Sequence, residues 1–566
     1  MPTDKTMTRR NFVQRTAAAA GLLCCGLSLS GCMPDNMKKD GKSRVTIVFD
    51  PTHEPESGFD PLYAWGTGVR PHDPLIQSTL FKYNEEDGFT NDLATSIDVS
   101  EDGLTYEIGI RDDAVFSDGS ALAASDVAFT LNGVHESDSS CVDLSSVDSV
   151  EATDDYIVTV HMTSPDSALP YALQYIGIVP EASYDEISYG TNPLGSGPFK
   201  LQTWERGQRI EFVSNPMYYG DKPSITTVCI TFDDDDAACN ACYEGTADLV
   251  YTTPRLSDQS INGYSLLDCV SMEQCGITLP LSSVSTSNAV LLNTQPADPS
   301  SPNSTEGTSR PIGNDVTCNL AIRKALNYGL NRKKLIETAL KGYGTSAYCL
   351  ATGLPWGDDK IKIKTDTTEA VRLLEADGWL LGTDDIRVRN GQRASIDLYY
   401  HHSDNEVSNK QTLNKNIADE FVRQMKNIGI EILPHATGFE QIETVALSQP
   451  TLRTYGSGSP AEIDEVYRSN AYNNLTGYAS SQTDAYIDAA RASADLDEAN
   501  AQWKKAQWDG TNGPVAQGNA AQVWLATIDD LYFKRSALNV GRQHVHTRGG
   551  GWSLLNSIAA WTWDTI

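Results

Sequence analysis

Basic residues are scarce in this chain of 566 residues: 43 Lys and Arg stand against 75 Asp and Glu, a formal net charge of −32. Nucleic-acid binding needs a basic footprint, so that class is excluded. The same deficit removes polybasic attraction to anionic lipid, so a lipid anchor alone would have to hold the protein at a membrane. No segment after Leu29 carries a continuous apolar run approaching the ~20 residues that cross a bilayer as a helix. No G-x-S-x-G elbow, H-E-x-x-H helix or phosphate loop occurs. A hydrolase is left only as an alternative, because a catalytic carboxylate pair cannot be singled out among so many acids. Histidine is sparse too, with nine in the chain.

What is present begins at the N-terminus. Thr8-Arg9-Arg10-Asn11-Phe12-Val13 is a paired-arginine segment, the apolar stretch from Ala17 to Leu29 follows, and Leu29-Ser30-Gly31-Cys32 has the form of a lipobox. The stretch is too short to span a bilayer and reads as an export signal of the twin-arginine kind. The expectation is a signal peptide over 1–31, lipidation at Cys32, a polar linker over 32–43 and a soluble body tethered outside the cytoplasmic membrane. Residues 1–31 carry four bases (Lys5, Arg9, Arg10 and Arg15) and one acid (Asp4), so their removal leaves the rest still more acidic.

The body exceeds one compact core, so two or more lobes are expected. Eight cysteines follow Cys32: Cys141, Cys229, Cys239, Cys242, Cys269, Cys275, Cys318 and Cys349. An even number in an exported protein favours disulfides, with buried thiols as the other structural reading. Cys239-Asn-Ala-Cys242 has redox or zinc spacing, but neither a second C-x-x-C nor a histidine pair completes a zinc site. A thiol redox protein is therefore an alternative.

Short β-branched or alternating runs predict strands at 44–50, 104–111, 156–162, 208–214 and 226–232. Helices are predicted at 125–131, 234–244, 318–329, 332–341, 367–377, 413–428 and 483–508. Residues 397–400 and 430–433 read as strands flanking one of these helices, which suggests a parallel β-α-β unit in a second lobe. Residues 297–315 form a long Pro/Ser/Asn/Gly loop. Segments 523–528 and 531–533 return to strand.

Several strings, taken in order, resemble the peptide- and nickel-type solute-binding proteins (extracellular family 5) of ABC transporters. They are Asp92-Leu93-Ala94-Thr95, Ser100-Glu101-Asp102-Gly103-Leu104-Thr105-Tyr106, Phe116-Ser117-Asp118-Gly119, Asp126-Val127-Ala128-Phe129-Thr130 and Asn192-Pro193-Leu194-Gly195-Ser196-Gly197-Pro198-Phe199. Asn215 to Pro223, Arg323 to Tyr328 and Asn331 to Ile336 are similar to later family segments, although Asn331 stands where Asp is usual. The likeness implies an α/β fold: a two-lobe, periplasmic-binding-protein-like clamshell with an extra α+β subdomain in lobe one. It places lobe one at 44–285 with the subdomain near 63–190, lobe two at 286–510, and a C-terminal return to lobe one at 511–566. It implies a monomeric substrate-binding protein, not an enzyme, that closes around a peptide, nickel or a metal chelate and delivers it to an ABC permease and ATPase complex. It implies no cofactor, any bound nickel or chelate being the transported ligand. A peptide-sensing receptor without transport is a further alternative.

Tyr63-Ala64-Trp65-Gly66 and Gly541-Arg542-Gln543-His544-Val545-His546 look like the nickel- and chelate-binding subgroup, which tends to carry more histidines before its Gly-Trp pair. Here Arg548 and Gly550 occupy those places, and Trp552 follows. His544 and His546 alternate by two, so a strand would turn both imidazoles to one face, where they could hold a divalent ion with a third ligand from elsewhere. Arginine grips carboxylates bidentately, which makes Arg70, Arg468 and Arg548 candidates for a peptide terminus. By similarity Tyr455 faces the cleft, and Trp65 and Trp552 are candidate cleft aromatics.

Overall fold

Strand Arg44–Phe49 reads RVTIVF, and its Val45, Ile47 and Phe49 are fully buried. Side chains that alternate across the pleat put one face into the core. In the computed structural model, which describes residues 43–55, 58–63, 75–84, 88–137, 142–284, 312–402, 409–456, 458–546 and 551–564, this strand is the middle of a seven-stranded sheet. The order across that sheet is Tyr264–Cys269, Asp530–Arg535, Leu249–Thr252, Arg44–Phe49, Thr227–Phe232, Arg209–Ser214 and Phe199–Glu205. Strand Arg44–Phe49 runs parallel to both of its neighbours, and the outer pairings are antiparallel.

A second, six-stranded sheet has the order Gly344–Ser346, Gln522–Ile528, Gln274–Thr278, Thr451–Tyr455, Ser395–His401 and Glu431–Thr437. Strands Ser395–His401 and Glu431–Thr437 pair in parallel around helix Asn409–Lys426, forming the expected β-α-β unit. Helices Leu320–Gly329, Arg332–Ala339 and Thr367–Ala376 pack on this sheet through Ile322, Leu326, Leu335 and Leu374. Their starts are set by side chains that accept from backbone N–H groups three residues on: Asn319 to Ile322, Asn331 to Lys334 and Asp366 to Glu369. Asn331 thus caps its helix in place of the more usual Asp.

A third unit is a four-stranded antiparallel sheet, Ala94–Val99, Thr105–Ile110, Ile157–Met162 and Val147–Asp154, covered by helix Ala124–Glu136. Asp118-Gly119 forms a tight turn in front of that helix: Gly119 has φ +92°, and Phe116 N donates to Ser120 O.

The structure departs from the sequence reading at definite places. Residues 483–508 are two helices, Ser481–Arg491 and Leu496–Gln507, because Asp495 caps the second through Glu498 N. Strand Gln274–Thr278 precedes residue 286 and strand Gln522–Ile528 follows residue 510, yet both pair inside the second sheet. That sheet therefore extends beyond the bounds expected for lobe two on each side. QCGIT is buried at every position, so it lacks the alternation that marks a half-exposed strand. Most of loop 297–315 lies outside the described residues, as do residues 1–42.

The seven described cysteines, Cys229, Cys239, Cys242, Cys269, Cys275, Cys318 and Cys349, are free thiols. The expectation of disulfides is thereby corrected to the buried-thiol reading for six of these residues, while Cys318 is a half-buried free thiol. Cys141 lies outside the described residues.

Candidate functional site

The chain passes between the two large sheets twice, and the two passages lie side by side. One runs from Cys269 to Gln274, the other from Ile528 to Asp530. Ile528 N donates to Glu273 O, Ser271 Oγ donates to Ile528 O at 2.5 Å, and Cys269 stands opposite Asp530 in the ladder. Two short adjoining strands with so few connections make a hinge, where small φ/ψ changes rotate one lobe against the other.

Where the passages enter the second sheet, Gln274 pairs with Tyr455, and Tyr455 packs edge-on to Trp524 at 5.2 Å. From the other side the four-stranded subdomain presents Tyr171, whose ring meets Trp356 at 5.2 Å and Phe89 at 5.3 Å. Tyr171, Met272, Trp356, Tyr455 and Trp524 therefore share one buried cluster, although they come from three parts of the fold. Large aromatic faces that exclude water, with few polar groups among them, are the usual lining of a small-molecule site.

The seam is closed by polar contacts. Gln174 Nε2 donates to Gly458 O at 3.5 Å, and Asn500 Nδ2 donates to Tyr171 Oη at 3.4 Å. Arg491 Nη1 lies 2.8 Å from Asp166 Oδ2. At another point Lys341 Nζ reaches Asp258 Oδ2 at 2.5 Å, tying the second lobe to the first. Helix Ala461–Tyr467 brings Glu462, Asp464 and Glu465 to this region. Burial pushes the Glu465 carboxyl up to about 7, helped by the carboxylates of Glu462, Asp143 and Asp464 and opposed by a hydrogen bond from Asn473.

The sequence candidates fall in different places. Tyr455 stands in the cleft cluster, 8% exposed, within hydrogen-bond reach of Gln522 Nε2 at 3.5 Å. Arg468 is near the seam, but its guanidinium is held by Asp464 and, at 2.7 Å, by Asp488. It is spent within the second lobe rather than offered to a ligand carboxylate. Trp552 does not line the cleft. It is packed in the first lobe's core against Phe49 at 5.5 Å and Phe59 at 6.0 Å, with its indole N–H donating to His53 O at 2.8 Å.

The histidine pair is also corrected. Residues 541–545 are not a strand; His544 is exposed, while His546 is fully buried. His546 Nδ1 lies 2.9 Å from Asp530 Oδ2 and Nε2 lies 3.1 Å from Gln543 Oε1, so both ring nitrogens are engaged. Its backbone N–H donates to Val270 O and its carbonyl accepts from Met272 N, which makes it a clamp on the hinge rather than a metal ligand. Among the described residues no three His, Cys, Asp or Glu side chains converge as a metal site. Trp65, Arg70, Arg548 and Cys32 lie outside the described residues.

Sequence reading missed Tyr171, Gln174, Gln274, Trp356 and Trp524. Each sits in a short segment without a motif, and they become neighbours only through tertiary folding.

Burial also disfavours redox chemistry at the C-x-x-C pair. It pushes the Cys242 thiol up to about 12 and raises that of Cys239, the opposite of the thiolate stabilisation that disulfide exchange requires.

Protein XP55 of Streptomyces lividans is 27% identical over 551 residues, covering 94% of this chain and 91% of that protein. The nickel-binding periplasmic protein of Escherichia coli K12 is 27% identical over 394 residues, covering 65% of this chain and 69% of the relative. The oligopeptide-binding protein AppA of Bacillus subtilis, solved in complex with a nonapeptide, superimposes with a TM-score of 0.64 at 19% identity, covering 92% of this chain and 99% of that one. The fold is thus the two-lobe periplasmic-binding-protein type. The profile of the bacterial extracellular solute-binding proteins, family 5, matches residues 88–449. With that match over most of its length, and with two sheets joined by paired crossings around an aromatic seam, the chain belongs to the family 5 extracellular solute-binding proteins, which are transport binding proteins and not enzymes.

Proposed function

We propose that this protein is the substrate-binding component of an ABC importer, held outside the cytoplasmic membrane by a lipid on Cys32. It captures a small peptide or a nickel or metal-chelate complex between its lobes and hands it unchanged to a permease. The observation that carries the reading is the junction of Tyr171, Trp356, Tyr455 and Trp524 at the mouth of a two-strand hinge. Tyr171 meets the second-lobe aromatics where the subdomain docks on that lobe, so a ligand that fills this seam would stabilise the closed form by its differential affinity. Closure then presents one surface made of both lobes to the permease.

The lipobox Leu29-Ser30-Gly31-Cys32 after a short apolar stretch supports the anchor. The acidic body supplies no electrostatic attachment of its own. Relatives named for nickel and for oligopeptides support both ligand classes.

Native mass spectrometry of protein purified from its own source tests the reading. A peptide series or an intact metal chelate retained in the gas phase, together with compaction in small-angle scattering on ligand addition, is the expected result. A protein that stays equally open with peptides, nickel–histidine and nickel alone, or that converts any of them to product, overturns it.

A further inference from the structure

Asp529 is the single residue between two strands that belong to different sheets. Strand Gln522–Ile528 ends in the second sheet, and strand Asp530–Arg535 begins in the first. Rotation of one lobe against the other at the second crossing therefore turns on the backbone of Asp529. The strand that leads into the first crossing stands beside it. Asp268 pairs with Leu531 and Cys269 with Asp530, where the ladder stops. Asp268 is thus fixed in the first sheet, while Asp529 lies diagonally opposite and one step beyond that sheet.

The two adjacent carboxyls of the second crossing are held differently. Asp530 has a partner for each oxygen: Oδ2 lies 2.9 Å from His546 Nδ1, and Oδ1 accepts from Tyr251 Oη at 3.4 Å. Asp529 is hydrogen-bonded to the carboxyl of Asp268, and its Oδ1 is buried without a hydrogen-bond partner among the described residues. Two carboxyls in contact hold a proton between them, because two like charges at that distance repel. An oxygen buried without a donor also suits the neutral acid better than the ion.

No neighbour supplies the missing positive charge. Glu273 stands on the first crossing, where its carbonyl accepts from Ile528 N, and Cys269 ends the adjoining strand. His546, from the C-terminal segment, is turned to Asp530 and Gln543. Among the described residues no Lys or Arg contributes to the field at Asp268 or Asp529. Burial, with the charge of Asp268, pushes Asp529 up to about 7. Opening turns the chain at Asp529 and draws its carboxyl away from a strand that stays with the first lobe. The protonated pair is broken by that movement, and the ionised pair is relieved by it.

We propose that the hinge is a proton-sensitive switch: one proton shared by Asp268 and Asp529 ties the two crossings together in the closed form, and its loss to water lets the like charges drive the lobes open. This goes beyond the transport reading and does not depend on which ligand is carried. By linkage, the ratio of open to closed form rises by up to about tenfold per pH unit between about pH 4 and 7 and levels off above.

Hydrogen exchange on the unliganded full chain tests it. The Ser167 N–H donates to Arg491 O across the seam, so its protection reports opening even where the open form is rare. Corrected for the intrinsic exchange rate, that protection should fall at least about tenfold from about pH 4.5 to 7 in the wild type. It should stay level in Asp529→Asn, whose amide keeps the bond to Asp268 without ionising, and Asp268→Asn should reduce the slope. Glu465, the carboxyl pushed up to about 7 at the seam itself, is the control. Glu465→Gln should keep the wild-type slope. A level wild-type profile, an equal fall in Asp529→Asn, or a slope lost in Glu465→Gln overturns the switch and leaves the transport reading in place. A chain that shows the slope yet retains no peptide or chelate overturns the transport reading and leaves the switch.

Discussion

Arg491 on the second lobe and Asp166 on the four-stranded subdomain form an ion pair at 2.8 Å in which each partner keeps a second contact of its own. Asp166 Oδ2 also accepts from Ser146 Oγ at 2.7 Å, and Arg491 Nε also lies 2.5 Å from Asp464 Oδ2. The contact is reinforced by Ser167, whose N–H donates to Arg491 O and whose hydroxyl donates to Ala490 O at 2.8 Å. When the lobes part, each charge keeps a partner, Ser146 for Asp166 and Asp464 for Arg491, so opening loses the contact itself without stranding either charge. That suits a latch better than a permanent weld.

Arg491→Ala and Asp166→Asn should each favour the open form. A hydrogen bond to a charged group contributes about 1.5–3 kcal/mol, so ligand affinity should fall roughly ten- to a hundredfold. The thermal midpoint of the unliganded protein should change little. Lys341→Ala removes an interlobe pair whose partner Asp258 is 77% exposed. It should cost under about 1 kcal/mol. Titration calorimetry and scattering on the three variants check the contrast; equal losses in all three would contradict the latch.

Gly458 has φ +76°, and a Cβ built there would overlap the Tyr175 hydroxyl across the seam. Gly458→Ala should therefore hold the lobes apart, on top of about 1–2 kcal/mol for the left-handed backbone. At least a tenfold loss of ligand affinity is expected. Tyr175→Phe in the same chain removes the obstructing oxygen and should recover part of that loss. If the double variant binds no better than Gly458→Ala alone, the overlap is not what opens the cleft.

Much of the architecture could be read from local patterns. Strand Thr105–Ile110 and the helices beginning at Arg332 and Thr367 declare themselves by alternation or by three-and-four spacing with a capping Asn or Asp. The site was far less legible. Tyr455 was reached through the family likeness, whereas Trp356 and Tyr171 come from segments with no shared pattern and meet only when the subdomain docks on the second lobe. His546 misled because period-two spacing implies a shared face only on a strand. Here the backbone of 541–545 is irregular, and Asp530 draws one ring inside. Trp552 misled because a Gly-Trp string resembles a loop, while Phe49, Phe59 and Phe212 supply a pocket that the sequence could not display.

The buried thiols lead to a chemical prediction. Burial pushes Cys349 up to about 11 and Cys242 up to about 12, and it raises Cys269 and Cys275 further still. At pH 7.5 these groups are protonated and poor nucleophiles. Iodoacetamide under native conditions should leave Cys239, Cys242, Cys275 and Cys349 unmodified over hours and label them within minutes in guanidinium. Peptide mapping reads the outcome. A Cys239–Cys242 bridge, or rapid native labelling of either residue, would restore the redox reading.

The hinge carries a carboxyl pair. Asp529 lies on the second crossing, 9% exposed, and is hydrogen-bonded to the carboxyl of Asp268 on the neighbouring strand. Burial, with the charges of Asp268 and then Asp530, pushes Asp529 up to about 7, from an ordinary 3.8. His546 faces Asp530 from the C-terminal segment, and Glu273 stands on the first crossing beside Ile528. Between about pH 4 and 7 the folded protein holds a proton here that the unfolded chain has released. By linkage, stability from this pair is fully present below about pH 4 and is lost as pH rises through 7. Asp529→Asn keeps the shape, donates to Asp268 and removes the ionisation. The variant's melting temperature relative to the wild type should therefore climb steadily from pH 4.5 to pH 7.5, with the variant the more stable by a few degrees at the upper end. A difference that stays flat across that range, or falls, would show that Asp529 is ionised in the folded hinge.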